Sequence, residues 1–271
     1  MSALVPTSLQ PALSSILSVL PSRIALPFKV IFWVLIGVNI QHFPGVWHLR
    51  IIWPFIRFQW EVKLGRKWKN WRIGEEDLRK FTLSRSFRAT PDSCDSFGLH
   101  LSNSEYAVSV DHVRGPFAIQ AVGEFYMIQG ATFALGATSF EYKKEIPLMA
   151  KFVVTSSLLG FDKKWLYIQT RFHSPPHPKT GAVTTYALVL SHLVLKHNRR
   201  TISPHRAFAL AGYGRDGKEN WEIVKTMSAK EKLQWLVEEG EGAKKGEKIT
   251  VGQVELGMQE SRSWPGQLTR D

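Results

Sequence analysis

Hydrophobic and polar positions change their spacing along this chain, and the first clear pattern is an alternation. Residues 80–90 read KFTLSRSFRAT, in which Phe81, Leu83 and Phe87 alternate with polar residues. A period of two is typical of a strand with one buried face, and proline does not continue a strand ladder. We therefore predict a strand that ends at Pro91.

A helical spacing follows this strand. Four apolar residues fall at i, i+4, i+7 and i+11, on one face of a helix: Tyr106, Val110, Val113 and Phe117. The polar residues before them favour a helix start near Asn103 or Ser104. Pro116 is expected to kink or shorten this helix.

The spacing then returns to that of strands. Apolar stretches cover residues 130–142, 150–161, 165–173 and 184–197. The sequence DKK at 162–164 predicts a tight hairpin turn, and SPPHPKTG at 174–181 predicts a longer loop. The order is thus a strand, one long helix and an antiparallel meander. One face of such a sheet must be covered, and this helix is available to cover it.

The two ends of the chain have other compositions. Residues 1–50 hold a leader and a hydrophobic segment, whose uninterrupted apolar run at 30–38 is too short to span a bilayer alone. The segment is either a span in which Lys29 snorkels, a core helix or an interfacial anchor. Residues 213–271 are charged, and SAKEKLQWLVEEG predicts a helix capped by Ser228 and ended by Gly240.

Residues 51–79 interleave basic residues with tryptophans and form a basic, aromatic linker before the domain at 80–212. Arginine, lysine and tryptophan together suit the headgroup region of an anionic membrane on its cytosolic side. Single-stranded nucleic acid and a solvated linker are the alternatives. Because no recognisable nucleic-acid module accompanies the segment, we expect no nucleic-acid partner and a membrane-associated chain, single-pass or interfacial, whose domain faces the cytosol.

Composition and charge narrow the choice of chemistry. The 271 residues are 44% hydrophobic and hold 35 Lys and Arg against 23 Asp and Glu, so that the net charge is +12. Such an excess indicates an acidic partner. A single cysteine excludes an internal disulfide and a cysteine-built zinc site. We expect no metal and no cofactor.

Three segments resemble one family. DSFGLHLSNSEYAVSVDHVR resembles the Asp…His-x-x-Asn-x-x-Tyr signature that opens the central helix of hot-dog thioesterases of the 4-hydroxybenzoyl-CoA type. GFDKKWLYIQTRF resembles the Gly-x-Asp-x-Lys-Trp hairpin of the same branch, and YALVLSHLVLKHNRRTISPHRAF its last strand. With the hydrophobic leader, the chain is similar to proteins like thioesterase superfamily member six and, more narrowly, to fungal thioesterases of the LcsJ type.

The resemblance implies an α+β hot-dog fold, in which a sheet wraps a central helix, with an N-terminal hydrophobic helix and a homodimer. It also implies hydrolysis of an acyl-CoA or carrier-bound acyl thioester, in secondary-metabolite or lipid biosynthesis. The sequence departs from the family at Asp95, which stands five residues before His100 where the family commonly has four. Ser102 and Asn103 stand where many members have paired asparagines.

Thioester hydrolysis requires a base or nucleophile and donors for the carbonyl oxygen. We predict Asp95 as base or nucleophile, with His100 and Asn103 as further catalytic residues. Substrate-binding residues are predicted at the helix start, where backbone N–H groups are free, and in a basic turn that suits phosphates: Leu101, Ser102, Ser104, Arg199 and Arg200.

Other interpretations of these residues remain open. Asp95 followed by Ser96 is also typical of an Asx-turn, and Cys94 with His100 would form a nucleophilic dyad. The principal alternative function is a non-catalytic hot-dog protein that binds acyl chains or acts as a scaffold at a membrane. A hot-dog dehydratase ranks last, because no glutamate is obviously placed to partner His100.

Overall fold

The computed structural model describes residues 22–38, 40, 43, 45–65 and 80–237. The predicted leader over 1–21, the basic and aromatic residues of 66–79, and the tail with the predicted helix stop at Gly240 lie outside the described residues.

The domain is one antiparallel sheet with helices packed against it. Its strands are β1 (Thr82–Arg88), β2 (Ala131–Tyr142), β3 (Lys151–Phe161), β4 (Trp165–His173), β5 (Thr185–His197) and β6 (Arg200–Ile202). The helices are α1 (Ser22–Val38), α2 (Val46–Lys63), α3 (Asn103–Ala121), α4 (Gly123–Tyr126), α5 (Pro204–Leu210), α6 (Gly217–Thr226) and α7 (Ala229–Val237).

The order of the strands differs from the predicted meander. Neighbouring strands pair as β1-β3-β4-β5-β2, and β6 adds to β5. Strands β3, β4 and β5 do form a meander, but β2 pairs with β5 at the far edge instead of with β3. The prediction was wrong for β2 because periodicity gives a strand its faces but not its neighbours.

Helix α3 lies against the sheet, where it packs on β1, β3 and β4. Its predicted apolar face is buried, with Val110, Val113 and Phe117 fully inaccessible and Tyr106 at 3% exposure. Pro116 does not end the helix, which continues to Ala121. A long helix held by a curved antiparallel sheet is the hot-dog architecture, and the predicted α+β hot-dog fold with an N-terminal hydrophobic helix is confirmed.

Two hairpin and capping predictions are also confirmed. The carboxylate of Asp162 accepts the backbone N–H groups of Lys164 at 2.7 Å and Trp165 at 2.6 Å, which closes the turn between β3 and β4. Ser228 caps α7: its Oγ accepts the Glu231 N–H, while the Glu231 carboxylate accepts the Ser228 N–H at 2.7 Å. This reciprocal pair is a capping box.

The C-terminal helices pack into the same core as the sheet. Trp221 and Val224 of α6 and Trp235 and Leu236 of α7 belong to the cluster that includes Phe117. Although this part of the chain is rich in charged residues, its helices each bury one apolar face in the core.

The N-terminal helices present apolar side chains outward. In α1 the described side chains are mostly exposed, including Phe28, Ile31 and Trp33. In α2, Phe58 is buried while Trp53 and Trp60 are more than 60% exposed. Across the described residues, none of the helices combines the length and apolar character needed to cross a bilayer.

Candidate active site

The polar corner before α3 is built by a short antiparallel pairing of two chain segments. The Asp95 N–H donates to the His100 carbonyl at 2.9 Å, and the Ser102 N–H donates to the Ser93 carbonyl at 3.0 Å. Cys94 and Leu101 form the bridge between these bonds. Asp95 therefore lies opposite His100, just before the helix begins.

The Asp95 carboxylate is held by backbone donors. Its Oδ1 accepts the N–H of Leu99 at 2.9 Å and that of His100 at 3.3 Å. The hydrogen bond from the Leu99 N–H is the main reason that the pKa of Asp95 is lowered. Desolvation opposes it, and the N–H groups of His100 and Phe97 and the charge of His100 lower the pKa further. Asp95 is thus ionised at neutral pH in an Asx-type turn.

A tight turn connects Asp95 to His100. Gly98 has φ of 67°, a left-handed conformation that glycine adopts without a side-chain clash. Its N–H donates to the Asp95 carbonyl at 2.9 Å, which closes the chain back on itself before His100.

The His100 ring interacts with groups other than Asp95's carboxylate. Its Nδ1 lies 3.1 Å from the Leu101 carbonyl, and its Nε2 lies 3.8 Å from Oε1 of Glu145. The Leu101 carbonyl and the negative charges of Glu145 and Asp95 raise the pKa of His100. The ring is half-buried, and its role as a catalytic residue stays a prediction.

Two of the predicted backbone donors at the helix start are already engaged, which corrects part of the sequence prediction. The Leu101 N–H donates to Ile146 at 2.9 Å, and the Ser102 N–H to Ser93 as above. The Ser102 side chain is the N-cap, since its Oγ accepts the Glu105 N–H at 3.3 Å. The helix begins at Asn103, as the sequence predicted, and Ser102 caps it.

The remaining N–H groups of the first turn belong to Asn103 and Ser104, which are exposed. The first N–H groups of a helix have no acceptor within the helix, and they lie at the positive end of its dipole. The N–H groups of Asn103 and Ser104 are therefore the predicted donors that remain at the start of the helix.

Cys94 is poorly suited to act as a nucleophile. Burial raises the pKa of its thiol, and the negative charges of Asp95, Asp92 and Glu105 raise it further, against a Ser93 hydrogen bond that lowers it. A thiolate is the reactive form of cysteine, so a raised pKa opposes the alternative of a dyad with His100.

Arg199 and Arg200 lie far from this corner within one chain. Arg199 lies in the turn between β5 and β6, and Arg200 begins β6. The corner lies near the beginning of β5, because Lys143, which follows β2, bonds to Tyr186, and Ile146 bonds to Leu101. β5 has 13 residues, so the separation along the sheet is roughly 40 Å. The structure does not bring these arginines together with Asp95 of the same chain.

Comparisons with known proteins agree with this architecture. Residues 89–215 match the family described as the thioesterase-like superfamily. The chain is 26% identical over 217 residues to "Thioesterase lcsJ" of Purpureocillium lilacinum, covering 65% of this chain and 68% of that protein. It is 32% identical over 127 residues to "Probable thioesterase YBR096W" of Saccharomyces cerevisiae, covering 46% of this chain and 52% of that protein.

Among solved structures, 4-hydroxybenzoyl CoA thioesterase from Pseudomonas sp. strain CBS-3 matches with a TM-score of 0.39 and 11% identity, covering 45% of this chain and 93% of that one. The chain spans about half the length of the yeast relative and about two thirds of the LcsJ protein. The resemblance to hot-dog thioesterases that the sequence predicted is confirmed, and residues 89–215 are similar to the thioesterase-like superfamily.

Proposed function

We propose that this chain is an acyl thioesterase, which hydrolyses an acyl-CoA or a carrier-bound acyl thioester in secondary-metabolite or lipid biosynthesis. The observation that carries the proposal is the corner before α3. The pKa of Asp95 is lowered, and Asp95 lies opposite His100. Three residues after His100 the helix begins with the N–H groups of Asn103 and Ser104, which have no acceptor in the helix. The names of the relatives, both thioesterases, support the same activity.

The chemistry assigns one task to each group. The N–H groups of Asn103 and Ser104 donate to the thioester carbonyl oxygen as it becomes negative. Asp95 either takes a proton from a water that attacks the carbonyl carbon, or attacks that carbon itself to form an anhydride that water then cleaves. In both routes the carbon–sulfur bond breaks, the thiolate leaves and is protonated, and one water is consumed.

The test uses the full chain and a panel of short, long and aromatic acyl-CoAs, together with carrier-bound acyl thioesters, and measures thiol release. Asp95→Asn is expected to reduce kcat by at least a hundredfold while the circular dichroism spectrum stays unchanged. Asp92→Asn is the matched control, three residues earlier, and is expected to retain most of the activity. Loss of activity in the control but not in Asp95→Asn contradicts the assignment.

One observation favours the second candidate, a non-catalytic protein that binds acyl chains or acts as a scaffold. The Asp95 carboxylate stabilises its own turn by accepting the backbone N–H groups of Leu99 and His100, a role that does not require catalysis. For such a protein, the panel gives saturable binding without thiol release. Binding can be measured by calorimetry with a non-hydrolysable thioether analogue of the ligand.

A homodimer is part of the proposal. Strand β2 lies at an edge of the sheet and presents twelve residues, with Leu135 at 51% exposure. A long exposed edge is prone to pair with another strand, and a two-fold axis would join two copies of β2 in an antiparallel sheet. Sedimentation velocity is expected to give a dimer, and Leu135→Lys is expected to weaken it.

Attachment to an anionic membrane surface, with the domain on the cytosolic side, is also part of the proposal. One stripe of α2 is apolar and exposed at helical spacing, and it consists of Leu49, Trp53, Ile56 and Trp60. The opposite face contacts the domain through Phe55, whose ring lies 6.3 Å from Tyr126. A helix packed on its protein by one face can lie in the membrane interface by the other.

Flotation with vesicles of anionic lipid tests this attachment. Trp53→Asp with Trp60→Asp is expected to reduce bound protein at least tenfold, since each buried tryptophan contributes about 2 kcal/mol. The control His48→Asp with Gln59→Asp changes the charge of the same helix in the same direction outside the stripe. If both double variants lose the same amount of vesicle binding, the loss is due to the added negative charge and not to the apolar stripe. Carbonate extraction of the full chain, compared with a chain lacking residues 1–50, then measures how firmly the N-terminal segment holds it.

A further inference from the structure

A cavity of about 850 Å³ lies between the β5–β6 turn and helix α7. Its wall on the turn side consists of residues 197–200, and its wall on the helix side consists of Lys230, Leu233, Gln234 and Val237. Helix α7 lies beyond residue 215, where the match to the thioesterase-like superfamily ends. The cavity therefore depends on a part of this chain outside the matched domain.

The charge of the lining is one-sided. Arg199, Arg200 and Lys230 contribute three cations, and no Asp or Glu is among the lining residues that the structure describes. Within residues 80–237, none of the three forms an ion pair or a side-chain hydrogen bond, and all three are exposed. Three cations that share a cavity without an acidic partner suit an anionic ligand.

The turn that carries the two arginines has a fixed backbone. Asn198 has φ of 53°, and its N–H donates to the Gly130 carbonyl at 3.1 Å. A side chain at Gly130 would approach the Asn198 Oδ1 within 2.9 Å, so the two segments are in close contact. The His197 ring also lies 3.1 Å from the Gln129 carbonyl. The arginines therefore project from a backbone that is held on both sides.

Helix α7, which carries Lys230, is also held in place by contacts with the rest of the domain. Lys232 forms an ion pair of 2.7 Å with the buried Glu124 of α4. Arg206 donates to the Trp235 carbonyl at 2.9 Å and lies over the Trp235 ring at 5.8 Å. Arg206 thus holds the helix in place, while the three cations of the cavity remain available to a ligand.

We propose that this cavity binds a phosphorylated organic ligand. The guanidinium groups of Arg199 and Arg200 and the ammonium group of Lys230 contact phosphate oxygens, for which arginine provides paired donors. Leu233 and Val237 provide an apolar surface for the organic part. The inference goes beyond thioester hydrolysis, because the cavity lies at the opposite end of β5 from Asp95.

The experiment titrates the full chain by calorimetry with adenosine 3′,5′-bisphosphate, with pyrophosphate and with adenosine. If only adenosine 3′,5′-bisphosphate binds, the cavity recognises a phosphorylated nucleoside. If the bisphosphate and pyrophosphate bind equally, the cavity recognises the phosphate groups alone. Either result supports the proposal. Binding of neither phosphate at millimolar concentration, or equal binding of adenosine, overturns it.

Variants locate the site. Arg199→Gln, Arg200→Gln and Lys230→Gln combined are expected to weaken phosphate binding about tenfold, because exposed charges contribute modestly one by one. The control combines Lys163→Gln, Lys179→Gln and Lys218→Gln, which remove the same charge from exposed positions outside the cavity. Its expected change is less than twofold. Equal weakening in both triple variants overturns the assignment to the cavity.

Discussion

Lys232 Nζ lies 2.7 Å from Glu124 Oε2, in an ion pair whose side chains are 15% and 4% exposed. The contact joins two helices that are 108 residues apart in sequence. Burial raises the pKa of Glu124, and the charge and hydrogen bond of Lys232 oppose that effect. The pair therefore fixes the position of α7 at the expense of desolvating a carboxylate.

Removal of one partner of this pair is expected to be costly. Lys232→Met leaves a buried carboxylate without its cation and should lower the free energy of unfolding by about 3–5 kcal/mol. Urea denaturation measures this change. Adding Glu124→Gln to the same chain should recover part of the loss. Lys225→Met, which removes an exposed ion pair with Glu222, should change the stability by about 0.5 kcal/mol or less.

Because the His112 ring is buried, we expect the protein to lose stability at acid pH. Both ring nitrogens are buried without a hydrogen-bond partner, and desolvation, with the charges of Arg50 and Arg85, lowers the pKa of His112 from 6.5 to about 4. Between these pH values the unfolded chain binds more protons than the folded chain. Stability due to this group is therefore complete above pH 6.5 and is lost as the pH falls towards 4.

At pH 5 the expected loss from His112 is about 2 kcal/mol relative to pH 7. His112→Leu removes the titrating group with a side chain of similar volume, so the variant should lose less stability over this interval. Urea midpoints at the two pH values provide the comparison. His177→Gln, in the exposed loop after β4, should keep the wild-type difference. An unchanged pH dependence in His112→Leu would contradict the explanation.

Gly136 lies beneath the Trp165 ring. A Cβ atom at Gly136 would stand 2.2 Å from Cζ3 and 2.5 Å from Cη2 of that ring, next to a register shift in the pairing of β2 with β5. Gly136→Ala is therefore expected to destabilise the domain by about 1–3 kcal/mol through overpacking. In a chain with Trp165→Leu the same substitution should cost much less, and thermal denaturation of the four proteins measures the coupling.

The pH dependence of hydrolysis distinguishes Asp95 from His100. Because backbone donors hold the pKa of Asp95 below its ordinary value of 3.8, a rate that depends on the ionised carboxylate should fall only below that pH. The pKa of His100 is raised above 6.5, so control by the neutral imidazole would make the rate fall at a higher pH. A profile of kcat/KM between pH 4 and 8, within the range where the chain stays folded, separates the two.

Much of the local structure could be predicted from the sequence. The alternation around Phe87 predicted a strand that ends three residues earlier than expected, at Arg88. The helical spacing of Val110 and Phe117 predicted a helix whose start at Asn103 is confirmed, although it continues past Pro116 to Ala121. The closing role of Asp162 and the cap at Ser228 also follow from their immediate neighbours. Each of these features depends on contacts within a few residues, which the order of side chains specifies.

Other features required the folded chain. Periodicity does not choose partners, so the pairing of β2 with β5 was missed, and so was the engagement of the Leu101 N–H by Ile146. The cavity joins Lys230 to Arg199 although they are far apart in sequence, and the ion pair of Lys232 with Glu124 does the same for α7. By itself the sequence determined which faces are apolar and where the polar corner before α3 begins. The tertiary structure decided which backbone donors stay free and which cations meet, because both depend on contacts between distant segments.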